Sequence, residues 1–261
     1  MAESFKLTIA KPLKISEIPS EDAIFETAKA IIQASETWRE GKSYHKKLVR
    51  TFRQKRGPED GADWHCRLSV HDPQDATFDE MWNGIGVDHA IKEKEYIESL
   101  KKVTLIKRLS DSQSVWNNLY YIPPPVSHRM FTVLQVVRLE ETTPRRGYFV
   151  SIPIDLSGPE DVELAKLEEK GVKGLYASVE QLTELEDGKT EWRMAVSTHP
   201  MGNMPLWISE MAMAGTIAED VPSFIRWLKE NRNKSNVDAE STAKIPSDTP
   251  SESAAAVVTA V

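Results

Sequence analysis

Residues Tyr120–Glu140 read YYIPPPVSHRMFTVLQVVRLE, and this stretch decides the fold. Pro123, Pro124 and Pro125 forbid a helix and predict an extended turn. The apolar run that follows, Met130–Val137, is rich in residues that suit a strand and is too short to cross a bilayer. In a strand, Arg129, Phe131, Val133, Gln135 and Val137 point one way, and Met130, Thr132, Leu134 and Val136 the other. Both faces are mostly apolar, so both are expected to be covered, unlike an antiparallel strand with one wet face. Arg129 stands at the entrance of this dry strand. Either it is buried and must find a partner, or it sits at the strand end, half solvated.

The flanking segments supply neighbours. Val103–Leu109 and Ser114–Tyr121 read as strands across a Ser-Asp-Ser turn. On the second, Trp116, Asn118 and Tyr120 share a face. If it pairs with the strand after the prolines, Trp116 or Asn118 approaches the Arg129–Phe131 row, and Asn118 has a carbonyl to offer a guanidinium. Arg145–Ile154 is a further strand, with Pro153 marking an edge or bulge. Val172–Leu182 and Lys189–Thr198 form a hairpin across Glu186-Asp187-Gly188-Lys189. Glu191 on that hairpin is the first ionic partner to consider for Arg129; the alternative is that it pairs at the sheet rim near Arg193.

Earlier in the chain, Ser20 or Asp22 is placed to cap a helix running to about Glu40. Lys46–Lys55 reads as a strand with a basic outer face. Trp64–His71 alternates: Trp64, Cys66, Leu68 and Val70 on one side, His65, Arg67, Ser69 and His71 on the other. Two histidines on one face invite a metal reading, but no third ligand stands at a recognisable spacing. They are expected to be hydrogen-bonded or exposed. Thr77 or Asp75 starts a helix that Gly84 and Gly86 end, and a second helix follows to Leu100. Asp79, Glu80, Asp88, His89 and Glu93 on these helices are read as a solvated acidic face.

Pro205 suits the first turn of a last helix. Trp207, Ile208, Met211, Met213, Ile217, Val221, Phe224, Ile225 and Leu228 make its wide apolar stripe, with a kink expected near Gly215 and Pro222. From residue 233 the chain is polar and rich in Ser, Thr, Ala and Pro, too poor in apolar side chains to fold. Many antiparallel strands with helices early and late define an α+β chain. The expected organisation is an arm over 1–19, one domain over 20–232 and a disordered tail over 233–261.

Five segments taken together resemble a known family. They are WHCRLSVHD (Trp64–Asp72), FDEMWNGIGVDHAIKEKEYI (Phe78–Ile97), PPVSHRMFTV (Pro124–Val133), SIPIDLSG (Ser151–Gly158) and EWRMAVSTHPMGNMPLW (Glu191–Trp207). In order and spacing they are similar to the fungal START-like family known as DUF3074, over roughly Trp38 to Leu228. The resemblance implies a helix-grip fold: a curved antiparallel sheet around a long C-terminal helix, with a hydrophobic cavity between them. It further implies that Arg129 and Asn118 lie at the inner end of that cavity; the strand faces read above add Trp116, Tyr120, Phe131 and Glu191 as candidate ligand-binding residues near them. Trp82 and Tyr96 are its expected wall, and Met211 is on the lidding helix. Met130 departs from the pattern, because START domains commonly carry an acid after the arginine.

Composition narrows the function. The 261 residues carry a net charge of −7, which argues against nucleic acid as the main partner. The single cysteine, Cys66, excludes an internal disulfide. The start, MAESFKLTIAKPLK, has no secretory pattern, so a cytoplasmic location is expected. No phosphate loop, dinucleotide turn or nucleophile elbow is present, and no cofactor is implied. Three functions remain. The first is non-catalytic binding or transfer of a lipid, sterol or isoprenoid-like molecule, with transient membrane contact. The second is a START-like cyclase acting on a polyketide-like metabolite, using Arg129, Tyr120, His65 or His71. The third is a protein-interaction scaffold.

Overall fold

The computed structural model describes residues 5–123 and 126–243. Two expectations therefore fall partly outside it: the turn at Pro124 and Pro125, and the tail over 244–261.

Ten strands form one sheet among the described residues. In chain order they are β1 (Arg39–Tyr44), β2 (Val49–Gln54), β3 (Trp64–His71), β4 (Leu100–Arg108), β5 (Gln113–Tyr120), β6 (Arg129–Glu140), β7 (Arg146–Pro153), β8 (Val172–Lys173), β9 (Leu175–Glu184) and β10 (Thr190–His199). The order across the sheet is β1-β2-β3-β10-β9-β7-β6-β5-β4, all antiparallel, and β8 adds a short parallel pairing at Arg129 and Met130 of β6. β5 and β6 pair with Asn118 opposite Phe131 and Tyr120 opposite Arg129, the register expected of a hairpin. The turn into β10 places Gly188 at φ +78°, a left-handed conformation that glycine adopts without strain.

Helices cover both faces, which is why β3 and β6 carry so few exposed side chains. Helix α1 (Glu21–Ser35) is capped by Ser20, whose side chain accepts from the Ala23 amide. Ile24, Phe25, Ala28 and Ile32 of α1 pack on one face with Cys66, Leu68, Leu134, Val136 and Val150. The N-terminal arm closes the edge of that layer: Leu7 and Ile9 are buried, and Leu13 bridges to Ile154.

The other face carries α2 (Phe78–Met81), α3 (His89–Tyr96) and a long helix, α5 (Leu206–Ala243); α4 (Val162–Ala165) is a single turn elsewhere. Thr77 and Glu80 form a capping box for α2. Ala218, Val221, Phe224 and Leu228 of α5 pack with Phe78, Met81, Ile85, Phe149 and Trp192.

One sequence expectation changes. The first helix ends at Ser35, and residues to Tyr44 form the edge strand β1. Its side chains are nearly all exposed, so no alternation announced it, and a bulge lies between Glu40 and Ser43. Helix α5 runs through Gly215 and Pro222 as one element, with Pro222 inside it. It extends to Ala243.

Candidate functional site

A cavity of about 460 Å³ lies between the N-terminal half of α5 and the sheet. Strand alternation builds its floor. Tyr120 of β5, Arg129 and Phe131 of β6, Ser151 of β7, Tyr176, Ser178 and Glu180 of β9, and Met194, Val196 and Thr198 of β10 all point into it. α3 contributes His89 and Glu93, and α5 contributes Ser209, Ala212, Met213, Thr216 and Asp220. Spacings of three and four place the α5 set on one side of the helix. Phe131 stands 5.6 Å from the Tyr120 ring and 5.3 Å from the Tyr176 ring, both edge-to-face. Ser99, Tyr121, Thr216 and Asp220 also line a cleft on the outer surface, so the cavity leads outward past them.

Arg129 lines the cavity but has no carboxylate partner among the described residues. It is 3% exposed. Its Nε donates to the Pro200 carbonyl at 2.6 Å, its Nη2 to the Met201 carbonyl at 3.3 Å, and its Nη1 to the Ser127 carbonyl. The guanidinium ties the β10–α5 loop to the start of β6. Burial lowers its pKa, but a guanidinium remains charged. Arg129 is thus neither half solvated nor paired with Glu191. Glu191 is 3.4 Å from Arg193 Nε, so its partner is the buried Arg193 itself rather than Arg129 or the neighbours of Arg193.

A second arginine carries the ionic chemistry. Arg67 of β3 is 1% exposed, and its guanidinium lies 3.9 Å from the centroid of the Trp192 ring. Its Nη2 reaches Glu180 Oε2 at 3.3 Å, and its Nε is 4.0 Å from Asp220 Oδ2. Trp192 Nε1 also donates to Glu180, at 2.8 Å. Burial pushes the Asp220 carboxyl up to about 7; Glu93 and Glu180 add to the rise and Arg67 opposes it. Burial also raises Glu93, against the pull of His89. The Tyr120 hydroxyl is 3.5 Å from Glu93 Oε1, and burial, with Glu93 next, raises its pKa well above the usual phenol value. Asp220 can therefore take or give a proton near neutrality.

The other expected site residues lie elsewhere. Asn118 is fully buried behind the wall, with its amide nitrogen 3.5 Å from the Tyr176 hydroxyl. Trp116 lines a small separate recess with Gln135 and Val137. Trp82 packs 5.3 Å from Phe149 and fills the space above Gly86 and Gly147. Tyr96 packs against Phe224 and Trp227 and borders the outer cleft. Met211 is 74% exposed on the outer side of α5. These aromatic and methionine side chains fill the packed end of the domain or its surface, because apolarity alone does not say which side of an element meets a cavity.

His89 and Glu93, read as part of a solvated face, turn inward. Glu80 and Asp79 do stay outside, paired with Arg232 and Arg145. His65 and His71 are buried, and His71 is 2.9 Å from the Ser69 hydroxyl. No cluster of three metal-binding side chains occurs among the described residues.

A long helix packed on a ten-stranded sheet, with a cavity between them, defines a helix-grip α+β fold. The chain belongs to the DUF3074 family, described as a protein of unknown function, whose profile matches residues 64–228. Among solved structures it is similar to human StAR-related lipid transfer protein 5, at 13% identity and a TM-score of 0.63, covering 81% of this chain and 97% of that one. It is similar to human STARD10, at 10% identity and a TM-score of 0.67, covering 87% and 86%. A STAR-related lipid transfer protein from Xanthomonas axonopodis matches at 12% identity and a TM-score of 0.55, covering 74% and 98%. No curated protein matches the chain by sequence.

Proposed function

We propose that this protein binds and carries a hydrophobic small molecule, of lipid, sterol or isoprenoid type, in the cavity beneath α5, without covalent chemistry. The observation that carries the reading is the cavity itself. Its 460 Å³ lies within the range of small-molecule sites, about 300–1,000 Å³, and Phe131, Met194, Val196 and Met213 give it apolar walls. A guest burying about 300 Å² of apolar surface would gain about 7 kcal/mol. The likeness in fold to domains titled lipid transfer proteins supports the same reading.

Release would pass between α5 and the loops bearing Ser99 and Tyr121. Trp207, Ile208 and Met211 are exposed on the first turns of α5 and suit brief contact with a membrane surface. Among the described residues no helix is long and apolar enough to cross a membrane.

Native mass spectrometry of the purified protein, followed by solvent extraction, tests the proposal. The expected result is a co-purified hydrophobic species that is lost in Val196→Trp, whose indole would fill the cavity, with a melting curve to verify that the variant folds. Protein that carries no such species and binds no alkyl fluorophore would rule it out.

A further inference from the structure

Resting on the reading of the cavity as a hydrophobic binding site, we infer that its guest carries a protonated amine, received by Glu93 and Asp220. The charges facing the guest are unbalanced. Glu93, Glu180 and Asp220 all line the cavity, and Arg129 is the one arginine or lysine among its described lining residues. Arg129 is already spent on the carbonyls of Pro200, Ser127 and Met201. Arg67 lies beneath Glu180 and Trp192 and answers Glu180 first, at 3.3 Å.

Two acceptors are left with capacity. Asp220 meets Arg67 only at 4.0 Å, beyond hydrogen-bond distance. Glu93 meets His89 at 3.7 Å and the Tyr120 hydroxyl at 3.5 Å, both long. An ammonium brings three donors and no acceptor, which suits two carboxylates whose existing contacts are long. Its charge also offsets part of the negative surplus. Tyr120, Phe131 and Tyr176 add aromatic rings, whose π faces attract a cation. A phosphate or carboxylate head would meet three acids and no free guanidinium. The volume suits a single chain or a compact ring system better than a two-chain lipid.

The test displaces a neutral alkyl fluorophore from the full chain with dodecylamine, dodecanol and dodecanoate at pH 8. The amine should bind at least about tenfold tighter than the alcohol, and the carboxylate weakest, tenfold being one strong charge-assisted contact. In Glu93→Gln and Asp220→Asn the amine-to-alcohol ratio should fall toward one. Dodecanoate binding as tightly as dodecylamine, or a ratio that survives both substitutions, overturns the inference while leaving a hydrophobic site in place. Binding of none of the three probes removes the site and the inference together. Should a variant fail to fold, the ranking of the three probes on the unaltered protein still decides.

Discussion

Arg67 and Trp192, on the adjacent strands β3 and β10, hold a guanidinium over an indole at 3.9 Å, and both donate to the Glu180 carboxylate. This arrangement places a charge in the dry side of the sheet and settles the polarity of the cavity floor. Arg67 Nε and Nη1 have no hydrogen-bond partner, so the guanidinium depends on Glu180 and the nearby Asp220.

Glu180→Gln should therefore cost about 3–5 kcal/mol, because it leaves a buried cation short of its countercharge. Urea unfolding measures it. The double variant Arg67→Met, Glu180→Gln should recover part of the loss. Equal losses in the single and double variants would show that the pair contributes little as a pair.

Arg129→Leu should lower stability by about 2–4 kcal/mol through three lost carbonyl contacts. It should also free the loop before α5. Hydrogen exchange at Met201 and Met204 should then accelerate more than exchange in β6. Unchanged exchange in that loop would remove Arg129 as its anchor.

A Cβ at Gly174 would run into the Phe131 ring. Gly174→Ala should push that ring toward the cavity and weaken binding of an alkyl fluorophore about tenfold, with about 1–3 kcal/mol of overpacking cost. Binding at the original strength, with the ring still beside Tyr176, would show that the backbone at Gly174 yields instead.

Burial lowers His65 and His71 from 6.5 to about 4 in the folded chain. A depressed folded pKa means that the unfolded chain binds more protons between these values. Stability present above pH 6.5 is then lost as pH falls toward 4, by about 3 kcal/mol for each histidine. Asp220, raised to about 7, acts in the opposite sense: its contribution is present below the usual carboxylate range and is lost as pH rises through 7. Melting curves of His71→Gln against the unaltered protein isolate the histidine term, and the difference between them should change across pH 6.5 to 4. A constant difference would mean that His71 titrates alike in both states.

The segment Arg129–Val137 shows why much of the fold was legible. A strand apolar on both faces requires cover on both sides, and α1 and α5 provide it. Pairing of β5 with β6 followed from adjacency in the chain, while the register that sets Asn118 rather than Trp116 opposite Phe131 did not. The edge strand β1 left no trace, since an exposed edge needs no apolar alternation. The site was legible in part. Tyr120, Phe131 and Arg129 share its wall, but the acids were hidden. Glu93 sits among lysines on a short helix, and Asp220 sits on a stripe whose cavity side depends on how α5 lies.

The amino-acid order by itself determined the α+β class, the covered sheet and the terminal helix, because side-chain periodicity and burial are local consequences of each element's geometry. Only the tertiary structure decided which arginine meets the acids. Arg67 and Glu180 are 113 residues apart, and Asp220 lies further along on another layer. Charges so far apart in the chain are brought within 4 Å only when strands and helix pack, and that packing takes them out of water and lets them shape the cavity.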